Sequence, residues 1–246
     1  MPRGPPRGAP GGVRPTLNSG TTMNTLATRL HYEAEHPVDV HVEPALENRD
    51  RLTVAFRILL AIPHLILVGG PVAATLSWTW RSDTGGGYDW GAGGGVLGVA
   101  AGVAALVAWF AILVTGRHPR GLWDLAAFYL RWRVRAVAYT ALLRDEYPPF
   151  GDGDYAAGLE LSPPEEPRDR LTAAFRIFLA IPHLVAIWAL GIAWAFTTIA
   201  AWFSILFTGR YPAGLYHFAT GVLRWSTRVE AYLLLLRDEY PPFSLE

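Results

Sequence analysis

Arg49-Asp50-Arg51-Leu52, Phe56-Arg57-Ile58 and Ala61-Ile62-Pro63-His64-Leu65 return 119 residues later as Arg168-Asp169-Arg170-Leu171, Phe175-Arg176-Ile177 and Ala180-Ile181-Pro182-His183-Leu184. A second block returns 93 residues later. It runs through Trp109-Phe110, Thr115-Gly116-Arg117, Arg131-Trp132, Arg135 and Leu143-Arg144-Asp145-Glu146-Tyr147-Pro148-Pro149-Phe150. Its second copy is Trp202-Phe203, Thr208-Gly209-Arg210, Arg224-Trp225, Arg228 and Leu236-Arg237-Asp238-Glu239-Tyr240-Pro241-Pro242-Phe243. A duplicated unit is explained once and then doubled, so the repeat constrains the architecture before any local element is assigned.

What is repeated is oily. Of the 246 residues 51% are hydrophobic and 17% charged, against about 25% charged in soluble domains. From Leu52 to Trp80 the only ionisable side chains are Arg57 and His64, from Val96 to Thr115 there are none, and from Leu171 to Thr208 only Arg176 and His183. About 20 helical residues cross a hydrocarbon core of about 30 Å, so each window is long enough to span. The formal net charge is zero, which gives no global field for nucleic acid, and basic residues gather at the window borders, where charges select a membrane side. The chain has no cysteine, which excludes disulfides, thiolate metal sites and cysteine nucleophiles.

Three segments are expected. Residues 1–30, rich in Pro, Gly and Arg up to Gly20, read as a disordered tail with no apolar core of a secretion signal, and Met23 is a plausible true start. Residues 31–150 form membrane repeat 1, with a glycine-rich loop over 81–95, and residues 151–246 form membrane repeat 2. Each repeat opens on period-two alternation, Val38, Val40 and Val42 in one and Ala157, Leu159 and Leu161 in the other, which favours half-buried strands able to pair with each other.

In repeat 1 a helix, a solvent loop and a second helix are expected. Because the offset between copies falls from 119 to 93, repeat 1 carries 26 extra residues. Insertions are tolerated where a chain turns outside a membrane, so repeat 2 is expected to be a hairpin turning near Gly191, with both ends cytoplasmic. The competing arrangement is one long helix from Pro182 to Phe207, preceded by an interfacial segment from Leu171 to Ile181. After each Thr-Gly-Arg an amphipathic helix follows. Leu215, Phe218, Ala219, Val222, Val229, Leu233 and Leu236 make its apolar stripe in repeat 2, opposite His217, Thr220, Arg224 and Arg228. Arginines beside tryptophans suit a headgroup layer. Tyr-Pro-Pro then stops the helix.

Candidate contacts with lipid headgroups or an acidic partner are therefore Arg117, Arg131, Trp132, Arg135, Arg210, Arg224, Trp225 and Arg228, with topology-setting surface charge as the plainer role. His64 and His183 are polar groups at membrane depth, open to a proton relay or ligand role, or to a structural bond near the adjacent proline. No metal-binding spacing occurs, so no metal or cofactor is expected. Asp145-Glu146 and Asp238-Glu239 are sequence neighbours and point to different faces, unlike a catalytic pair. Their expected role is structural, the aspartate paired to a nearby arginine and Tyr-Pro-Pro-Phe packed back on its unit.

Ala-Ile-Pro-His, Trp-Phe-x-Ile-Leu-x-Thr-Gly-Arg-x-Pro, Arg-Trp and Leu-Leu-Arg-Asp-Glu-Tyr-Pro-Pro-Phe, together spanning about Val38 to Leu245 in both copies, resemble a bacterial, chiefly actinobacterial, family of tandem-repeat membrane proteins defined as a domain of unknown function. The resemblance implies a membrane location and a tandem build, and carries over no site residues.

The expected fold is mainly α and polytopic, two parallel repeats of short strand, membrane helical hairpin and interfacial amphipathic helix, in the cytoplasmic (inner) membrane. The expected role is a non-enzymatic accessory or scaffold of the cell envelope whose partners are membrane lipids and other envelope proteins. The alternative is a small transporter or channel component using His64 and His183.

Overall fold

The alternating segments that open the two repeats pair with each other. In the computed structural model β1 (Val38–Val42) runs antiparallel to β4 (Ala157–Leu161), with Val40 opposite Leu159, Val38 opposite Leu161 and Val42 opposite Ala157. Leu159 is the repeat counterpart of Val40, so the register is self-complementary, the signature of a two-fold relation between repeats. The described residues are Met1, 37–70, 76–80, 88–92, 95–164 and 166–246. Apart from Met1, the expected 1–30 tail lies outside them.

The remaining elements follow as α1 (Arg51–Ala55), α2 (Arg57–Val68), β2 (Leu76–Trp80), β3 (Tyr88–Ala92), α3 (Gly95–Thr115), α4 (Arg120–Thr140), α5 (Arg170–Thr208) and α6 (Ala213–Leu233). Asp50 and Asp169 start α1 and α5 as N-caps, each accepting a backbone N–H from its helix's first turn, the preferred chemistry at that position. Gly116 and Gly209 close α3 and α5 with φ of 73° and 71°, a left-handed geometry that glycine adopts without steric penalty.

Two expectations about local structure are corrected. First, the apolar window of repeat 1 does not stay helical to Trp80. α2 stops at Val68 before Gly69, and Leu76–Trp80 pairs antiparallel with Tyr88–Ala92, Trp78 opposite Trp90. Alternation of polar and apolar residues through Leu76-Ser77-Trp78-Thr79-Trp80 is a strand pattern, so the glycine-rich loop over 81–95 contains a strand. Its residues 81–87, 93 and 94 lie outside those described.

Second, repeat 2 contains no hairpin. α5 is one continuous helix of 39 residues through Pro182 and Gly191. Pro182 deprives one carbonyl of its donor, and a lone glycine inside a helix costs only about 1 kcal/mol. Neither turns the chain. Repeat 1 explains the mismatch. A methyl added at Gly95 would lie 2.6 Å from the Ile66 carbonyl oxygen and 2.7 Å from that of Leu67, so α3 resumes where α2 ended and the insertion leaves at that junction.

Burial is uneven among the helices. Eleven of the 21 residues of α4 and twelve of the 21 of α6 are buried, so about half of each helix packs into the core. Only five of 21 in α3 and nine of 39 in α5 are buried. In α5 the buried set includes Ala173, Arg176, Ala180, His183, Ile187, Gly191 and Trp194, one narrow stripe at spacings of three and four. Around it Leu171, Phe175, Phe178, Ile181, Val185, Trp188, Phe196, Phe203 and Phe207 are exposed. The most apolar helices, α3 and α5, are thus the less buried ones, and α4 and α6 the more buried.

Candidate functional site

Each repeat builds one buried Arg–Arg–Asp cluster. In repeat 1, Arg49 Nε and Nη2 donate to the two carboxylate oxygens of Asp145 at 2.8 and 2.6 Å, and Arg57 Nη2 donates to Oδ1 at 2.6 Å. In repeat 2, Arg168 and Arg176 hold Asp238 in the same way. The arginine side chains are at most 2% exposed and the carboxylates 21% and 26%. One carboxylate does not balance two guanidinium groups, so carbonyls and rings complete the cage. Arg57 donates to the carbonyls of Arg144 (2.6 Å) and Tyr139 (3.3 Å) and lies 4.0 Å over the Tyr139 ring. Arg176 repeats this with Arg237, Tyr232 and the Tyr232 ring at 4.4 Å, as guanidinium groups do on aromatic faces. Burial pushes the Asp145 and Asp238 carboxyls up, but the arginine hydrogen bonds and charges outweigh it and hold both below the ordinary carboxylate range.

Two strained leucines aim a further acceptor at each cluster. Leu142 and Leu235 have φ of 63° and 60°, where a branched side chain costs roughly 1–2 kcal/mol. They occupy the position glycine usually fills after a helix. Leu143 N–H returns to Ala138 O and Leu142 N–H to Tyr139 O, and the same pair recurs from Leu236 and Leu235. The turn points Leu142 O at Arg49 (2.6 Å) and Leu235 O at Arg168 (2.9 Å).

The histidines sit beside these clusters in an aromatic clasp. Trp132 Nε1 donates to His64 Nδ1 at 3.0 Å and Trp225 Nε1 to His183 Nδ1 at 3.2 Å. An indole N–H is only a donor, so each imidazole accepts at Nδ1 and carries its proton on Nε2. Phe150 stacks on His64 at 4.6 Å and Phe243 on His183 at 3.9 Å, and the rings of Tyr147 and Tyr240 lie tilted against the imidazoles at 5.0 and 4.7 Å. The Tyr-Pro-Pro-Phe segment thus folds back on its own unit as expected.

The arginines singled out by sequence divide. Arg117 and Arg210 are exposed, and Arg131 and Arg224 half-buried, the latter donating to Val40 O at 3.1 Å. Arg135 Nη1 donates to Gly151 O and Arg228 Nη1 to Glu246 O, at 2.7 and 2.6 Å. Both secure the chain beyond Tyr-Pro-Pro-Phe. Trp132, Trp225 and Arg228 are at most 7% exposed, so they line the interior and not a headgroup face.

One junction escapes the repeat. Glu230 accepts from Tyr129 Oη and Arg133 Nε, both at 2.7 Å, and Arg133 Nη1 donates to Val68 O at 2.9 Å. The counterparts are Val137, Val222 and Ser226, so a reading built on duplication passes over it. Arg133 and Glu230 tie α4, α6 and the end of α2 together at one point. Separately, a cavity of about 520 Å³ is lined by His118, Arg120, Trp123, Asp124, Pro163, Pro164 and Glu166. Among the described residues no cluster of His, Cys, Asp and Glu could hold a metal.

The fold and these clusters define a mainly helical, internally two-fold protein with two helices, α3 and α5, long and apolar enough to cross a membrane. The family described as "Domain of unknown function (DUF4389)" matches residues 93–151 and 170–244, and the chain belongs to that family. No curated protein and no solved structure matches it.

Proposed function

We propose that this chain is an integral protein of the cytoplasmic membrane, a non-enzymatic accessory or scaffold of the cell envelope that works by contact with lipid. The observation that carries the reading is the sparse burial of the most apolar helices. α3 and α5, with mean hydropathy of 2.5 and 2.0, are only 28% buried over their most apolar windows. A helix made for a soluble core is mostly covered by its neighbours. Here Val99, Val103, Leu106, Phe110, Ile192, Phe196 and Phe203 are exposed along these helices, and exposed apolar side chains grouped in this way mark a surface made for another apolar medium. At 1.5 Å per residue α5 is about 58 Å long, more than the roughly 30 Å of hydrocarbon, so its charged ends reach the headgroup layer. Arg117 and Arg210, with the half-buried Arg131 and Arg224, supply cationic contact there.

Alkaline carbonate extraction of membranes from cells making the full-length chain tests this. The expected result is a protein that stays in the pellet and floats with neutral liposomes once reconstituted. A folded monomer in the supernatant of a detergent-free lysate would overturn it.

A further inference from the structure

The two ends of α5 carry the same exposed arrangement, assembled each time from both repeats. At its C-terminus the Arg51 guanidinium lies over Gly209, where an added methyl would stand 3.4 Å from Nη2 and 3.5 Å from Nε, and Arg210 follows. At its N-terminus Arg170 lies over Gly116, 3.4 Å from Nε and from Nη2, and Arg117 follows. Main-chain bonds lock both approaches, Arg49 N–H to Gly209 O at 3.0 Å and Arg168 N–H to Gly116 O at 2.9 Å. All four arginines are exposed. Among the described residues Arg51, Arg170 and Arg210 make no ion pair, and Arg117 has only the exposed Glu166 at 4.0 Å.

Stabilising a helix end does not account for so much charge. A helix C-terminus presents about half a negative charge, less than the two guanidinium groups at the Arg51–Arg210 site carry; at the Arg170–Arg117 site the exposed Glu166 offsets part of the excess, and the neighbouring Asp50 and Asp169 carboxylates are taken up as helix N-caps. The flanks are apolar, with Leu52 and Phe207 exposed at one site and Leu171 and Val114 at the other. A partner that uses both features is anionic at one end and hydrocarbon at the other.

We propose that Arg51 with Arg210, and Arg170 with Arg117, form two equivalent sites for the phosphate of an anionic phospholipid, each built across the repeat boundary. The proposal rests on the membrane reading above and adds the ligand class and the residues. Guanidinium groups bind phosphate oxygens through paired donors, and each arginine near an anionic surface contributes about 1 kcal/mol, roughly fivefold in affinity.

Native mass spectrometry of the full-length chain in neutral detergent, titrated with phosphatidylglycerol or phosphatidylcholine, is the test. Two phosphatidylglycerol molecules are expected per chain, one after Arg51→Gln with Arg210→Gln, and none when Arg170→Gln and Arg117→Gln are added. Lysine at the same four positions keeps two bound and shows that the fold survives replacement. Two molecules still bound by the fourfold glutamine variant would overturn the proposal, as would displacement of the lipid by millimolar inorganic phosphate, which would assign the sites to free phosphate. Carbonate extraction of the parent protein separates the two readings. A parent that leaves the membrane refutes the membrane assignment, whereas one that stays but binds no phosphatidylglycerol refutes only these sites.

Discussion

Asp145 and Asp238 each pair with two arginines that have no other carboxylate partner among the described residues, so the clusters fail asymmetrically. Removing the carboxylate strands two buried cations. Asp238→Asn is expected to destabilise the protein by about 3 kcal/mol, the lower end of the range for a broken buried pair because the carboxylate keeps partial solvent access. Denaturant unfolding in detergent measures it, and a loss under 1 kcal/mol would mean that the carbonyl cage alone holds the arginines. The same groups set a pH limit. Both carboxyls titrate lower in the folded chain than the unfolded value of about 3.9, so their stabilisation is complete above that value and lost as pH falls through the folded value. Stability should be level with respect to these groups above about pH 5 and decline below about pH 4, and the double Asn variant should lose part of that acid slope. Pairing of the aspartate with an arginine was legible in the repeated motif. Which arginine was not, because Arg49 lies 96 residues away in the chain and only the closed fold brings it near. Leu142 and Leu235 were hidden for a related reason, since nothing in a leucine announces a left-handed turn.

The elements were readable by type and misjudged in continuity. Period-two segments became β1 and β4, and the Thr-Gly-Arg boundaries ended α3 and α5 where glycine predicts. The hairpin near Gly191 failed because an insertion in one copy was taken to mark a turn in both. Repeat 1 has Gly69 and Gly70 before its insertion and Gly93 to Gly95 after it, whereas repeat 2 passes from Ile187 to Trp188 with no such breaker. A proline distinguishes the two arrangements. Ile192→Pro, at an exposed position of α5, should cost about 3 kcal/mol or more in a continuous helix, read as a lowered unfolding midpoint. Retention of full stability would restore the turn. Periodicity gave the amphipathic helices two faces without saying what each face meets. Tyr, Trp and Arg side chains of α4 and α6 find their partners inward.

Across the whole molecule the repeats exchange contacts and do not stand side by side as independent units. Trp109 Nε1 donates to Ala173 O at 2.9 Å and Trp202 Nε1 to Val54 O at 3.0 Å, each tryptophan reaching the other repeat's first helix. Cutting the chain at residues 152–154, between the Tyr-Pro-Pro-Phe segment and β4, and co-expressing the halves should therefore give a complex that copurifies from detergent. Halves that purify separately as folded species would contradict the interlocking. Residue composition conveyed the oily exterior, but the contact exchange was beyond it, because duplication fixes what is copied and leaves open how the copies meet.

The face-to-face register of Val40 and Leu159 has a genealogical consequence. A polypeptide half as long, bearing a single strand and helix set, meets in a second molecule of itself every surface that the missing half provides, so the same outline is available to a homodimer. Joining the halves in one gene releases them from identity. Glu230, which reaches Arg133 and Tyr129 while its counterpart Val137 makes no such bridge, is a one-sided feature that two identical copies could not show.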